Sequence, residues 1–165
     1  MTNFKNKSAN TITCVDIENR MSDTAVLKIG KKERKLLDAS LRALKNAYVL
    51  WGLKVGAAVL AEDEQIYEGC NVESWVSGLG TCAERCAINH AVLHGNRKIK
   101  EIALVMDSAS RGEPRPCGAC LQYISDFSAN PKIKVVMAKA EKGKILSETV
   151  SVRNLEELFP FPFKK

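Results

Sequence analysis

The sequence predicts an α/β fold, in which helices cover both faces of a mixed sheet of about five strands as three layers, α/β/α. Segments with a helical period alternate with short apolar segments between residues 31 and 165. A chain of 165 residues is expected to form one domain and can bury a real core. Residues 1–30 are rich in Asn, Thr, Ser and Lys and have no sustained period, so we expect a loose N-terminal extension there.

The first half of the domain is predicted to contain a helix, a hairpin and a second helix. The first helix begins near residue 32 and carries an apolar stripe at helical spacing, formed by Leu37, Leu41, Leu44 and Tyr48. An acidic turn separates the runs 54–61 and 65–71, which predicts two paired strands. The segment 82–94 is apolar on nearly all sides, so we expect a buried helix.

The second half is predicted to contain three strands and two helices. A polar loop at 107–115 is followed by Pro116, which suits the first turn of a helix because its missing N–H has no partner there. A short helix should end before Pro160. The strands are expected at 101–106, 133–138 and 145–150, and the short helix at 154–159.

Composition and charge exclude several function classes. The net charge is +6, but the lysines are mostly dispersed and have no aromatic residues among them, so we expect no nucleic-acid partner. Apolar runs approaching the roughly 18 residues of a membrane span are missing, and the N-terminus has no signal-peptide pattern. We therefore expect a cytoplasmic protein without a membrane partner. Six cysteines with reduced thiols then indicate metal binding or catalysis rather than disulfides.

Three cysteines have the pattern of an open metal site. Cys117 and Cys120 are three residues apart, so they share a face at the start of one predicted helix, and Cys82 stands at the start of another. Helix N-termini carry unpaired N–H groups that favour a thiolate. Three protein ligands on zinc leave a fourth position for water or substrate. The pattern thus predicts one zinc ion and chemistry at that ion.

Two charged residues follow Cys82 and have predicted roles at this site. Glu84 could point to the open position, take a proton from zinc-bound water and pass it on as a general acid–base group. Three thiolates weaken zinc as a Lewis acid, and Arg85 is the candidate cation to offset their charge and tune the metal.

Cys-Ala-Glu at 82–84 followed by Pro-Cys-x-x-Cys at 116–120 resembles the signature of the zinc-dependent deaminases. More narrowly, residues 31–163 resemble the small homotetrameric cytidine deaminases, with further matches at 54–58, 69–73 and 158–163. The polynucleotide and tRNA deaminases have His as their first ligand, so Cys82 argues against them. The resemblance implies zinc-dependent hydrolysis of cytidine or deoxycytidine to uridine or deoxyuridine, with release of ammonia, in pyrimidine salvage.

The same resemblance implies roles for substrate-binding residues. Asn71 and Glu73 would hold the ribose hydroxyls, and the backbone of Ala83 would orient the base. Phe163 matches a C-terminal aromatic residue that approaches an active site of a homotetramer. A carboxylate near the sugar would repel a 5′-phosphate, so we expect nucleosides to be preferred over nucleotides.

Departures from the family's pattern leave other functions open. Leu53 stands where the family usually has Phe, and Ser74, Trp75 and Ser77 are also unusual, so the substrate could be a modified cytosine nucleoside such as blasticidin S. A non-catalytic, zinc-stabilised binding module is a third hypothesis, and it needs a fourth ligand. His90 and His94 share a helical face with Cys86 and could supply one, although on a buried helix a core Cys with partnered histidines is the more common outcome.

Overall fold

The computed structural model describes residues 29–163. Only the last two residues of the predicted extension, Ile29 and Gly30, fall in this range, and residues 1–28 lie outside it. The helices are α1 (Lys31–Leu44), α2 (Ala83–Leu93), α3 (Gly118–Phe127) and α4 (Leu155–Leu158). The strands are β1 (Val55–Ala61), β2 (Ile66–Cys70), β3 (Ile99–Asp107), β4 (Lys134–Glu141) and β5 (Lys144–Asn154).

The five strands form one mixed sheet in the order β2-β1-β3-β4-β5. Strand β1 pairs antiparallel with both β2 and β3, and β4 pairs antiparallel with β5. The central pair, β3 and β4, is parallel, and α3 lies in the connection between the two strands. This arrangement confirms the predicted mixed α/β sheet of five strands.

Both faces of the sheet are buried, because alternate residues of the central strands pack against different layers. On one face, Leu36 and Leu37 of α1 share a core with Ala58, Ala103 and Val136. On the other face, the inner sides of α2, α3 and α4 share a second core with the remaining strand residues, among them Ala87, Ile88, Ile124, Leu155, Val59, Leu104 and Val135. The predicted three layers are therefore present.

Two glycines permit close contact between helices and sheet. A Cβ atom at Gly56 of β1 would lie 2.0 Å from the backbone oxygen of Ser40 in α1. A Cβ atom at Gly69 of β2 would lie 2.2 Å from the backbone nitrogen of Ala87 in α2. The two strands can contact backbone atoms of the helices only because these side chains are missing.

Two sequence predictions were wrong in detail. Helix α1 ends at Leu44, so Tyr48 lies beyond it and forms an isolated bridge with Val72. Helix α2 is not buried on all sides, since Leu93 is 82% exposed and Val92 is 37% exposed. As a helix of an outer layer, α2 contacts the sheet with one face only. Within residues 29–163, the helices lack the length and apolar character needed to cross a membrane.

Candidate active site

Three cysteines meet where two helices begin. Cys82 is the N-cap residue of α2, Cys117 is the N-cap residue of α3, and Cys120 lies in the first turn of α3. Both cap residues have extended backbone angles, with φ near −70°. The three sulfur atoms lie within 4.8 Å of one another, although 34 residues separate the two segments along the chain. The structure thus brings together the three cysteines singled out in the sequence.

The thiols of this group have very different acidities. Hydrogen bonding from Cys120 and the adjacent Arg85 guanidinium lower the pKa of Cys82 to about 5. The pKa of Cys120 is raised, because its thiol proton is held in the bond to Cys82 and because the side chain is buried. The Cys82 thiol therefore ionises readily, whereas the Cys120 thiol retains its proton unless a cation compensates the charge of its thiolate.

The donor set fits zinc. Three thiolate sulfurs on fixed backbone suit a soft or borderline divalent ion, and zinc bound by three protein ligands retains one open position. Within residues 29–163, no other group of three or more His, Cys, Asp or Glu side chains has ligand atoms this close together. His90 and His94 do not belong to the group, so neither is placed to act as a fourth ligand.

Glu84 is a buried carboxylate beside the cysteines. It lies in the first turn of α2 and is only 4% exposed. Burial raises the pKa of Glu84 to about 7, with the nearby Cys82 thiolate adding to the effect. A carboxyl group that exchanges its proton near neutral pH is suited to general acid–base chemistry.

A cavity of about 150 Å³ opens onto these residues. Its size lies below the roughly 300–1,000 Å³ of pockets that enclose drug-sized ligands, so the enclosed part suits a small group. The lining comes from both helix starts, from β1 and β3, from the residue after β2 and from the loop before α3: Val55, Asn71, Cys82, Ala83, Glu84, Leu104, Met106, Arg115 and Cys117. A larger groove of about 670 Å³ lies on the other face of the sheet, between α1 and the β4–β5 hairpin.

Sequence reasoning missed Arg115, Leu104 and Met106 as lining residues. Arg115 forms an ion pair with Glu113 at 2.7 Å. The sequence signal that could have identified Arg115 was its position directly before Pro116 and Cys117. Which face of the sheet Leu104 and Met106 lie on depends on how β3 pairs with its neighbours. The sequence of one strand does not reveal that pairing.

Asn71 fixes the entry into β1. Its Oδ1 accepts a hydrogen bond from the Val55 N–H at 2.8 Å, and its Nδ2 donates to the Leu53 carbonyl at 2.9 Å. Both polar ends of the amide therefore contact the backbone of residues 53–55. The residue also lines the cavity, so its bonds set the shape of the cavity mouth.

Glu73 binds the backbone of the preceding loop. Its Oε2 accepts hydrogen bonds from the N–H groups of Leu50, Trp51 and Gly52, of which the last two measure 3.0 and 3.2 Å. Hydrogen bonds from Trp51 and Leu50 lower the pKa of Glu73, so it is ionised at neutral pH. The exposed rings of Trp51 and Trp75 meet edge to face, with centroids 5.5 Å apart, beside this loop.

Of the remaining predicted site residues, Ala83 lines the cavity, whereas Arg85 and Phe163 do not. One guanidinium nitrogen of Arg85, Nη2, lies 4.0 Å from the Cys82 sulfur and donates to the Gly80 carbonyl at 3.3 Å. Ala83 is fully buried. The backbone of Phe163 exchanges two hydrogen bonds with the Gln122 side chain on α3, while its own ring is 74% exposed.

Comparison with known proteins gives consistent matches. The family model for the cytidine and deoxycytidylate deaminase zinc-binding region matches residues 30–138. A cytidine deaminase of Sporosarcina psychrophila is 41% identical over 132 residues, which cover 79% of this chain and 90% of that protein. A blasticidin-S deaminase of Bacillus cereus is 25% identical over 83% of this chain and 96% of that protein. The crystal structure of a cytidine deaminase from Burkholderia pseudomallei has a TM-score of 0.68 at 33% identity, covering 79% of this chain and 98% of that chain.

Proposed function

This chain belongs to the cytidine and deoxycytidylate deaminase family, and on that premise we propose that it hydrolyses cytidine and deoxycytidine to uridine and deoxyuridine with release of ammonia. The single observation that carries the proposal is that the three clustered cysteines lie beside Glu84, a buried carboxyl group with a pKa of about 7, at one small cavity. The cavity can admit a pyrimidine ring, which brings the C4 amine to the chemistry, while the sugar remains at the mouth.

Zinc is the cofactor of this enzyme, and we propose Cys82, Cys117 and Cys120 as its ligands. When bound, zinc supplies Lewis acidity that makes water nucleophilic near neutral pH. Arg85 would stabilise the thiolate of Cys82 and so limit the loss of Lewis acidity caused by three negative ligands. Its distance from the Cys82 sulfur and the lowered pKa of that thiol support this role.

Glu84 is the proposed proton carrier. It would accept the proton from water as the oxygen adds to C4, deliver a proton to N3, and then transfer one to the amine as the C4–N bond breaks. Atoms balance, because the water oxygen becomes the uracil carbonyl and ammonia leaves. A pKa near 7 matches both tasks, since such a group can give and take a proton at cellular pH.

Binding of the sugar is assigned to Asn71 and Glu73, with the Ala83 backbone orienting the base. The position of Asn71 at the cavity mouth and the negative charge of Glu73 support this proposal. Their backbone bonds also hold residues 50–55 beside the cavity. An ionised carboxylate at the sugar favours nucleosides over 5′-phosphates.

We further propose a cytoplasmic homotetramer that acts in pyrimidine salvage, with Phe163 near an active site. Exposed apolar side chains on α2 and the C-terminal tail, including Leu93 at 82% and Phe163 at 74%, support a self-association surface. Light scattering tests the oligomeric state, and a monomer at micromolar concentration would contradict it.

Two alternatives are less well supported. Deamination of blasticidin S is suggested by Leu53 in place of an aromatic residue, but the matching blasticidin-S deaminase is only 25% identical, against 41% for a cytidine deaminase. A non-catalytic zinc module would need a fourth ligand, and neither histidine lies with the three cysteines.

An ultraviolet assay of zinc-loaded protein tests the function with cytidine, deoxycytidine, 5-methylcytidine and blasticidin S as substrates. Glu84→Gln should retain zinc and lose at least 10²-fold in turnover, as expected for loss of a general acid–base group. Glu141→Gln, an exposed change on β4, serves as the matched control. Unchanged cytidine turnover in Glu84→Gln would remove this residue from the mechanism.

The metal assignment is tested separately by mass spectrometry. Wild-type protein should carry one zinc per chain, and the double variant Cys117→Ala/Cys120→Ala should carry none. Retention of stoichiometric zinc by the double variant would refute these ligands.

A further inference from the structure

The two histidines of this chain lie side by side at the C-terminal end of α2, whereas the cysteine site lies at its start. The sequence contains two histidines in total, His90 and His94, and their rings have centroids 5.1 Å apart. Both are exposed, although they lie beside β2 at the C-terminal end of the helix. The deamination chemistry proposed above gives neither of them a role.

One hydrogen bond fixes the orientation of the His90 ring. Its Nδ1 lies 2.9 Å from the backbone carbonyl oxygen of Glu68 in β2. A carbonyl only accepts, so Nδ1 carries the proton and, in the neutral ring, the Nε2 lone pair is free to bind a metal. Metal-binding histidines commonly donate their second N–H to a carbonyl in this way, which fixes the tautomer and the ring orientation.

Tyr67 holds both rings in place. Its ring centroid is 5.3 Å from that of His90, at an interplanar angle of 78°, and 5.3 Å from that of His94, at 32°. The tyrosine is itself held by hydrogen bonds to Asp63 at 2.7 Å and to Asn96 at 3.0 Å. The imidazoles therefore pack against a fixed aromatic surface, which reduces the rotamer freedom that metal binding would otherwise remove.

The spacing i, i+4 on one helical face is the spacing with which two histidines chelate a single ion in helical zinc sites. Imidazole nitrogens bind first-row divalent ions such as Ni²⁺, Cu²⁺ and Zn²⁺. Within residues 29–163, no third His, Cys, Asp or Glu ligand atom joins the pair. Water would occupy the remaining coordination positions, so the site would be open and its ion exchangeable.

We propose that His90 and His94 form a second metal site, which binds a divalent first-row transition metal through two imidazoles at the C-terminal end of α2. The site is distinct from the zinc centre of the three cysteines. The histidines have the partners that the sequence predicted, in Glu68 and Tyr67, but both side chains are exposed rather than buried.

Isothermal titration of Ni²⁺ into untagged, zinc-loaded protein tests the proposal, since the chain has no other histidine to compete. We expect one Ni²⁺ per chain to bind while mass spectrometry shows the original zinc retained. His90→Gln and His94→Gln should each weaken binding by roughly 10- to 100-fold, because loss of either imidazole removes the chelate. Lys98→Gln, an exposed change near the same helix end, should leave the affinity unchanged.

Thermal stability gives a second readout of Ni²⁺ binding. Ni²⁺ should raise the melting temperature of wild-type protein in a concentration-dependent manner and have no such effect on His94→Gln. Two results would each overturn the proposal: absence of Ni²⁺ binding at millimolar concentration, or equal Ni²⁺ affinity in wild type and both histidine variants. Binding accompanied by stoichiometric release of zinc would assign Ni²⁺ to the cysteines and overturn it as well.

Discussion

Replacement of Gly69 by alanine should displace the helix that carries Cys82 and Glu84. The new Cβ atom would lie 2.2 Å from the Ala87 nitrogen and 2.7 Å from the Ala83 oxygen, both of them backbone atoms of α2. Because neither can move without the helix, α2 must shift by about 0.8 Å before the shorter contact reaches even 3.0 Å. Overpacking of a core commonly costs about 1–3 kcal/mol, and we expect a value near 3 kcal/mol for this variant.

The same shift should damage the active site. Ala83 directly follows Cys82, so the clash acts at the first turn of α2, while Cys117 and Cys120 remain on α3. A misplacement of about 1 Å can lower a rate by roughly 10²-fold. We therefore expect Gly69→Ala to lose both zinc affinity and at least tenfold in kcat/KM for cytidine.

Urea unfolding at fixed protein concentration, zinc content and cytidine turnover together measure these effects. Gly78→Ala is the matched control, since a Cβ atom at that glycine would meet nothing within 4 Å. If Gly69→Ala were as stable as the wild type and turned over cytidine at the same rate, the argument that β2 and α2 need this close contact would be refuted.

Three further predictions concern metal, acid stability and substrate charge. Chelation of zinc should lower the melting temperature, because a metal that binds only the folded protein contributes about 2.7 kcal/mol of stability when its concentration is 100 times its dissociation constant. Calorimetry with and without chelator measures this change, and an unchanged melting temperature would contradict it. Glu33, buried beside Lys134, has its pKa lowered from 4.5 by that hydrogen bond, so its stabilisation is present above pH 4.5 and is lost as the pH falls through the folded-state pKa. Glu33→Gln should thus cost about 1 kcal/mol at pH 7, and urea titrations should show its deficit shrinking below pH 4.5; a deficit that is constant with pH would be inconsistent with this ion pair. Cytidine 5′-monophosphate should have a kcat/KM roughly 5- to 10³-fold below that of cytidine, because repulsion from Glu73 at ~4 Å amounts to about 1–4 kcal/mol, and faster turnover of the monophosphate would remove the argument.

Local patterns predicted most of the fold. The apolar stripe of α1 and the apolar runs of β1, β3 and β4 carry their period in adjacent residues, so one segment suffices to identify each element. Cys82, Cys117 and Cys120 were also predictable as a group, because the helix starts that hold them are local features. Their mutual distance of less than 4.8 Å agrees with that grouping.

Features that depend on long-range contacts were not predictable. The outer face of α2 carries Val92 and Leu93, and its composition does not distinguish a buried helix from an exposed one. The backbone bonds of Glu73 depend on where the loop 50–52 lies, 21 or more residues earlier in the chain. Arg115 reaches the cavity only because the loop before α3 passes over the end of β3.

The division of the three sulfurs between two helix starts determines when the metal can be captured. Between Cys82 and Cys117 the chain completes α2 and crosses the sheet as β3, whose ladder with β4 involves residues as late as Ala140. A growing polypeptide therefore lacks the full set of proposed ligands until Cys120 has been synthesised and the starts of α2 and α3 have packed together. With these ligands, zinc uptake in refolding experiments should follow the packing of α2 and α3 rather than precede it.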